Sequence, residues 1–106
     1  MKPGIELLDE IEGTGDPAAS GDTVQYKSRG FLNRGDRAWE VTHNVTTLGK
    51  RDVIAGVEYS LIGMRVGGYR KVKVSPHLAY RDIGVSDRIP PKAVLIVELL
   101  DGEDSV

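Results

Sequence analysis

The sequence predicts an α+β domain in which an antiparallel sheet wraps a single short helix. Three observations lead there. Gly and Pro recur at short intervals, which favours strands joined by turns over long helices. Several segments between them alternate apolar and polar residues with period two, the mark of half-buried strands. One segment breaks that pattern, with apolar residues at spacings of three and four. At 106 residues the chain makes one domain, residues 1–106, with enough length to bury a core.

The elements follow in order. "GIELLDEIEG" is a first extended segment, and "GTGDPAASGD" is dense enough in Gly, Asp, Ser and Pro to be a loop. "TVQYKSRGFL" places Val24 and Tyr26 on one face and Gln25 and Lys27 on the other. "NRGD" is a turn, and the β-branched stretch "RAWEVTHNVTTL" pairs back onto its predecessor. In "DVIAGVEYSLIGM", Ile54, Val57, Leu61 and Met64 form the stripe of an amphipathic helix. Asp52 is placed to cap that helix or to favour it through the dipole. "RVGG" ends it. "YRKVKVS" returns to period two, with Val72 and Val74 inward and Lys71 and Lys73 outward. The last strand puts Leu95, Val97 and Leu99 on one face, and "DGEDSV", residues 101–106, reads as a flexible tail. Directly before that strand stands Pro90–Pro91. Proline offers no ladder donor, so the pair belongs to a loop that aims the chain into the strand.

Composition narrows the function classes. A net charge of −2 with scattered basic residues argues against a nucleic-acid surface. The cluster Arg70, Lys71 and Lys73 alternates with apolar residues and reads as the wet side of a strand. Without cysteine there are no disulfides, thiol nucleophiles or cysteine zinc sites. The N-terminus has no apolar core of a signal peptide, and no stretch is long enough to span a membrane. The expectation is a cytoplasmic monomer. His43 and His77 have no metal spacing and read as surface or packing residues. "GKRDVIAG" lacks the glycine five residues before its Gly-Lys that a phosphate loop needs. "NVT" and "RGD" read as chance and as turn chemistry.

Order and spacing carry more. "LGK", "VIAGVE" opening the helix, "GMRVGG", alternating basic and apolar residues, "SPHLAY", then "IPP" and a final strand ending in "VELL" follow one another at set intervals. In that order the chain resembles the FKBP-type peptidyl-prolyl cis-trans isomerases, the immunophilins that bind macrolides, over nearly its whole length. The resemblance implies a five- to six-stranded antiparallel half-barrel around one short helix. It also implies a hydrophobic pocket rimmed by the loop before the double proline.

Carried over by position, the resemblance implies catalytic roles for Tyr80, Ile54 and Glu40, with the Ile54 N–H and the Tyr80 hydroxyl donating to substrate. It implies substrate-binding roles for Tyr26, Trp39, Val53, Val57, Ile89 and Leu95. Glu40 stands where the family usually has Asp. Val57 stands where the pocket floor is usually aromatic, Leu95 where the final strand usually carries an aromatic, and a third expected aromatic falls near Asn44. The hairpin bearing Trp39 and Glu40 has one extra residue. The implied activity is prolyl isomerisation, reduced by the missing aromatics, on proline-containing peptides or unfolded proteins, with weak macrolide binding. It needs no cofactor and no metal. The alternative is a non-catalytic binding or chaperone module on the same fold.

Overall fold

The computed structural model describes residues 2–81, 84, 85 and 89–101. Five strands form one antiparallel sheet: β1 (Ile5–Ile11), β2 (Thr23–Leu32), β3 (Arg37–Thr47), β4 (Tyr69–Val74) and β5 (Leu95–Asp101), in the spatial order β1-β4-β5-β2-β3. Among the described residues, one α-helix, α1 (Ala55–Leu61), lies between β3 and β4, and one 3₁₀ turn, Pro76–Leu78, follows β4. This is the predicted α+β architecture, an open sheet with one short helix.

The period-two pattern settles which face is buried. Val24, Tyr26 and Ser28 of β2, Val72 and Val74 of β4, and Leu95, Val97 and Leu99 of β5 all point inward. Leu61 and Met64 close over them from the helix side. At seven residues α1 is too short to be stable alone, so its helicity derives from packing that apolar face. Its N-cap is Ile54, in an extended conformation and without a side-chain cap. Asp52 therefore does not cap the helix.

The C-terminal end of α1 is held from the sheet. Arg70 Nη1 donates to the carbonyls of Ser60 and Ile62 at 2.9 Å each, while its Nε donates to Glu10 at 2.8 Å. Arg70 shares the inward parity of Val72 and is only 14% exposed at its side chain. Its assignment to the wet side of the strand is thus corrected: charge alternation misled, because one guanidinium satisfies carbonyls that the short helix leaves open. Lys71 and Lys73 do lie on the outer face.

The tail assignment also needs correction at its first residue. Asp101 is the last residue of β5, buried and paired with Tyr26, and it exchanges backbone hydrogen bonds with Gly67 and Gly68. Residues 102–106 lie outside the described residues. Pro90 and Pro91 stand before the ladder, as their missing donors require, and the Lys92 N–H bonds the Arg81 carbonyl at 2.7 Å.

On the outer face Glu98 lies opposite Arg29 in one pairing and Lys71 in the other. Arg29 Nε donates to it at 2.6 Å, and the Tyr69 hydroxyl at 2.7 Å. Burial alone would raise the Glu98 carboxyl, but the Tyr69 hydroxyl and the Arg29 guanidinium outweigh it and hold the carboxyl below the ordinary glutamate range. A depressed carboxyl stabilises the fold above its unfolded pKa, and that contribution is lost as pH falls through the folded pKa. Asp101 works in the opposite sense, since burial raises its carboxyl and acid relieves the cost of its charge. Replacing Glu98→Gln should lower stability at pH 7 by about 1 kcal/mol, an amount set by its partly exposed arginine partner. The loss should shrink toward zero at pH 3, as read from urea midpoints at the two pH values. An equal loss at both would contradict the linkage.

Candidate active site

Between α1 and the β2–β3 end of the sheet lies a cavity of about 460 Å³, within the size range of small-ligand and peptide side-chain pockets. Its deep part is apolar. Tyr26, Val57 and Ile89 are each about 4% exposed and form its inner surface, with Ala38 beside them. Val53, Ile54, Tyr80 and Val85 continue the apolar wall toward the mouth, while Ser28, Thr42, Asn44 and Asp52 make the remaining side polar.

β3 delivers its part through two irregularities. Against Ser28–Gly30 of β2 stand Thr42–Trp39, and against Gly30–Phe31 stand Trp39–Arg37, so β3 carries one surplus residue at each step. Such bulges re-aim side chains. Here they turn the consecutive residues Ala38 and Trp39 toward the pocket, and Glu40 turns away.

Trp39 is fixed by two neighbours on β2. Its ring lies on Gly30, where a β-carbon would come within 2.6 Å of three ring atoms. Its indole N–H donates to Ser28 Oγ at 3.0 Å, and the residue lines the cavity. Only glycine at position 30 allows this approach.

The opposite rim is pinned as tightly. Val85 and Ile89 exchange two backbone hydrogen bonds, at 2.7 and 2.8 Å, and Gly84 donates to the Tyr80 carbonyl at 3.0 Å. Gly84 has φ +68, and an added β-carbon would fall 2.2 Å from the Ile89 carbonyl oxygen. Ile89 is thereby turned into the pocket from the residue just before the double proline. The charged stretch 82–83 and 86–88 lies outside the described residues.

Two residues that line this space carry donors without acceptors among the described residues: Ile54, through the N–H at the residue before α1, and Tyr80, through its hydroxyl. Burial, and after it the neighbouring Tyr80 phenol, push the Tyr26 hydroxyl up to about 12, so it stays protonated throughout the neutral range. The arrangement offers apolar surface for a ring and protonated donors for carbonyls. It contains no activated nucleophile among the described residues.

The family profile described as FKBP-type peptidyl-prolyl cis-trans isomerase matches residues 15–100. The chain belongs to the FKBP-type peptidyl-prolyl cis-trans isomerase family. It is 35% identical over 98 residues to FK506-binding protein 1A of Neurospora crassa, covering 89% of this chain and 81% of that protein. It is 34% identical over 99 residues to peptidyl-prolyl cis-trans isomerase FKBP10 of Mus musculus, and 39% over 97 residues to FKBP9 of the same organism, covering 90% and 82% of this chain. It spans 17% of the length of each of those two mouse relatives.

Of the site residues that family resemblance implies, Tyr26, Trp39, Val53, Ile54, Val57, Tyr80 and Ile89 line the one cavity. Two do not. Glu40 is 78% exposed at its side chain and pairs with Arg37 at 2.7 Å, because the pocket-facing pair on β3 falls one residue earlier than the resemblance implies. Leu95 is fully buried in the core on β5 and does not reach the cavity. Ser28, Ala38, Thr42, Asp52 and Val85 line it without having been singled out as pocket residues. Ser28 was legible, since it continues the inward parity of Val24 and Tyr26. Ala38 and Thr42 were not, because their facing depends on the two bulges.

Substituting Gly30→Ala should lift Trp39 from its seat and cost about 1–3 kcal/mol through overpacking. The chain has a single tryptophan, so its fluorescence reads the displacement directly. A red-shifted emission and a lower urea midpoint are expected; an unchanged spectrum would contradict the seat.

Proposed function

We propose that this chain is a peptidyl-prolyl cis-trans isomerase acting on Xaa–Pro bonds of peptides or unfolded proteins. The observation that carries the reading is the joining of three aromatic residues, Tyr26, Trp39 and Tyr80, around one cavity of about 460 Å³, with two donors that have no acceptor among the described residues. Rotation about an Xaa–Pro bond faces the amide resonance barrier of about 18–20 kcal/mol, and without a catalyst exchange takes tens to hundreds of seconds. No covalent bond forms or breaks. Acceleration requires only that the twisted amide be bound better than either planar form.

The deep apolar part, Val57, Ile89 and Tyr26, holds the proline ring, and the indole of Trp39 closes its aromatic side. Removing water from the amide there disfavours its charge-separated planar resonance form relative to the twisted one. The Ile54 N–H and the Tyr80 hydroxyl hold substrate carbonyls and fix the flanking chain while the bond turns. Because Val57 replaces a floor aromatic, contact area with the ring is smaller, and both turnover and macrolide affinity fall below those of a pocket with an aromatic floor. Catalysis in this scheme is the work of one monomer.

The rival reading, a non-catalytic module that only grips apolar or proline-containing segments, shares the pocket and differs in rate. NMR exchange on a short Leu-Pro peptide separates them. The isomerase reading expects concentration-dependent acceleration that drops about tenfold in Tyr80→Phe, the equivalent of one neutral hydrogen bond. No acceleration by folded protein at high concentration would leave the binding module.

A further inference from the structure

The polar side of the pocket mouth is unused by the reaction described above. Asp52 lines the cavity and is exposed, which places it at the mouth rather than the floor. It serves no structural purpose visible in its surroundings. It does not cap α1, and among the described residues it has no ion-pair or hydrogen-bond partner. Its neighbour Arg51 donates its backbone N–H to the Glu58 carboxylate at 3.3 Å, and among the described residues it forms no ion pair with Asp52. Among the described residues, no lysine or arginine lines the cavity to neutralise Asp52.

Asn44, across the polar side on β3, adds a second acceptor. Its amide nitrogen donates to Thr42 Oγ1 at 2.8 Å, and Thr42 in turn leans on the Ser28 carbonyl at 3.4 Å. Both bonds from Asn44 to Thr42, to Oγ1 and to the carbonyl, use the Asn44 amide nitrogen, and its amide oxygen has no donor among the described residues. A carboxylate and an amide oxygen at the rim of an apolar pocket match an ammonium or guanidinium group. They match neither an aliphatic side chain nor an acid.

We propose that the pocket selects Xaa–Pro segments carrying lysine or arginine next to the proline, with Asp52 as the charge partner and Asn44 as a second acceptor. The inference rests on the isomerase reading for its substrate class and adds the identity of the flanking residue. The long stem of lysine or arginine crosses the apolar rim while its head reaches the carboxylate. Because the pair is solvated, its effect is modest and falls with added salt.

The test uses blocked peptides Ala-Xaa-Pro-Xaa with Xaa as Lys, Leu or Glu, added to the folded protein. Chemical-shift titration reads affinity, and exchange spectroscopy reads isomerisation. The lysine peptide should bind about fivefold more tightly than the leucine peptide at low salt, and the glutamate peptide more weakly than both. In Asp52→Asn the lysine-to-leucine ratio should fall toward one, and 0.5 M salt should do the same to the unaltered protein. A lysine peptide that binds no better than leucine, or a ratio that Asp52→Asn leaves intact, overturns the inference. Because affinity is read separately from rate, the two readings fail separately. Preferred binding of lysine without accelerated exchange sinks the isomerase reading and leaves the selectivity standing.

Discussion

One concave sheet face has to be covered by one helix of seven residues, and most of the molecule follows from that mismatch. Such a helix is about 10 Å long, whereas the ten residues of β2 run to about 34 Å. The helix packs against β4 and β5. The cavity lies between α1 and the β2–β3 end of the sheet, away from the strands that the helix packs on most closely. The same shortness leaves helix carbonyls without partners, and Arg70 supplies them from β4 while tying in Glu10 of β1. The device that anchors the helix and the open cavity beside it both go with one short helix.

A cavity open on one side needs a wall, and here β3 provides it. The helix offers only Val57 where an aromatic floor is usual in this family. The aromatic surface enters instead from the sheet, as Trp39 lying on Gly30 and bonded to Ser28. The two surplus residues of β3 make this possible by presenting Ala38 and Trp39 in succession. The rim across from it depends on a different constraint, the close crossing of Gly84 over Ile89, which turns Ile89 inward. Both walls are placed by backbone features, and each relies on a glycine at the point of contact.

This division explains what was legible in the sequence. Strand faces on β2, β4 and β5 follow from alternation, so Val24, Tyr26, Val72, Val74, Leu95, Val97 and Leu99 were readable as the inward set. The helix was readable from the spacing of Val57, Leu61 and Met64, although its extent was shorter than the stripe, since Ile54 precedes it and Met64 lies beyond it. Bulges obscure parity, and β3 has two. Glu40 was accordingly placed in the pocket when it is Ala38 and Trp39 that face it. Arg70 looked solvated because it stands next to Lys71, yet a guanidinium can point inward wherever carbonyls await it. Asp52 had the residue type and spacing of a cap but belongs to the pocket mouth, a distinction set by the extended conformation of Ile54. Residue identity alone does not carry that conformation.

The central claim is that Trp39 supplies the aromatic contact that the helix position Val57 lacks. The most direct test compares Xaa–Pro exchange rates for the unaltered protein, Trp39→Leu, and the double substitution Trp39→Leu with Val57→Trp, each shown to be folded by its NMR spectrum. The account predicts at least a tenfold loss in the single variant and recovery of a substantial part of it in the double variant, as an aromatic returns from the helix side. Full activity in Trp39→Leu would contradict the account, because the proline ring would then be held without the indole.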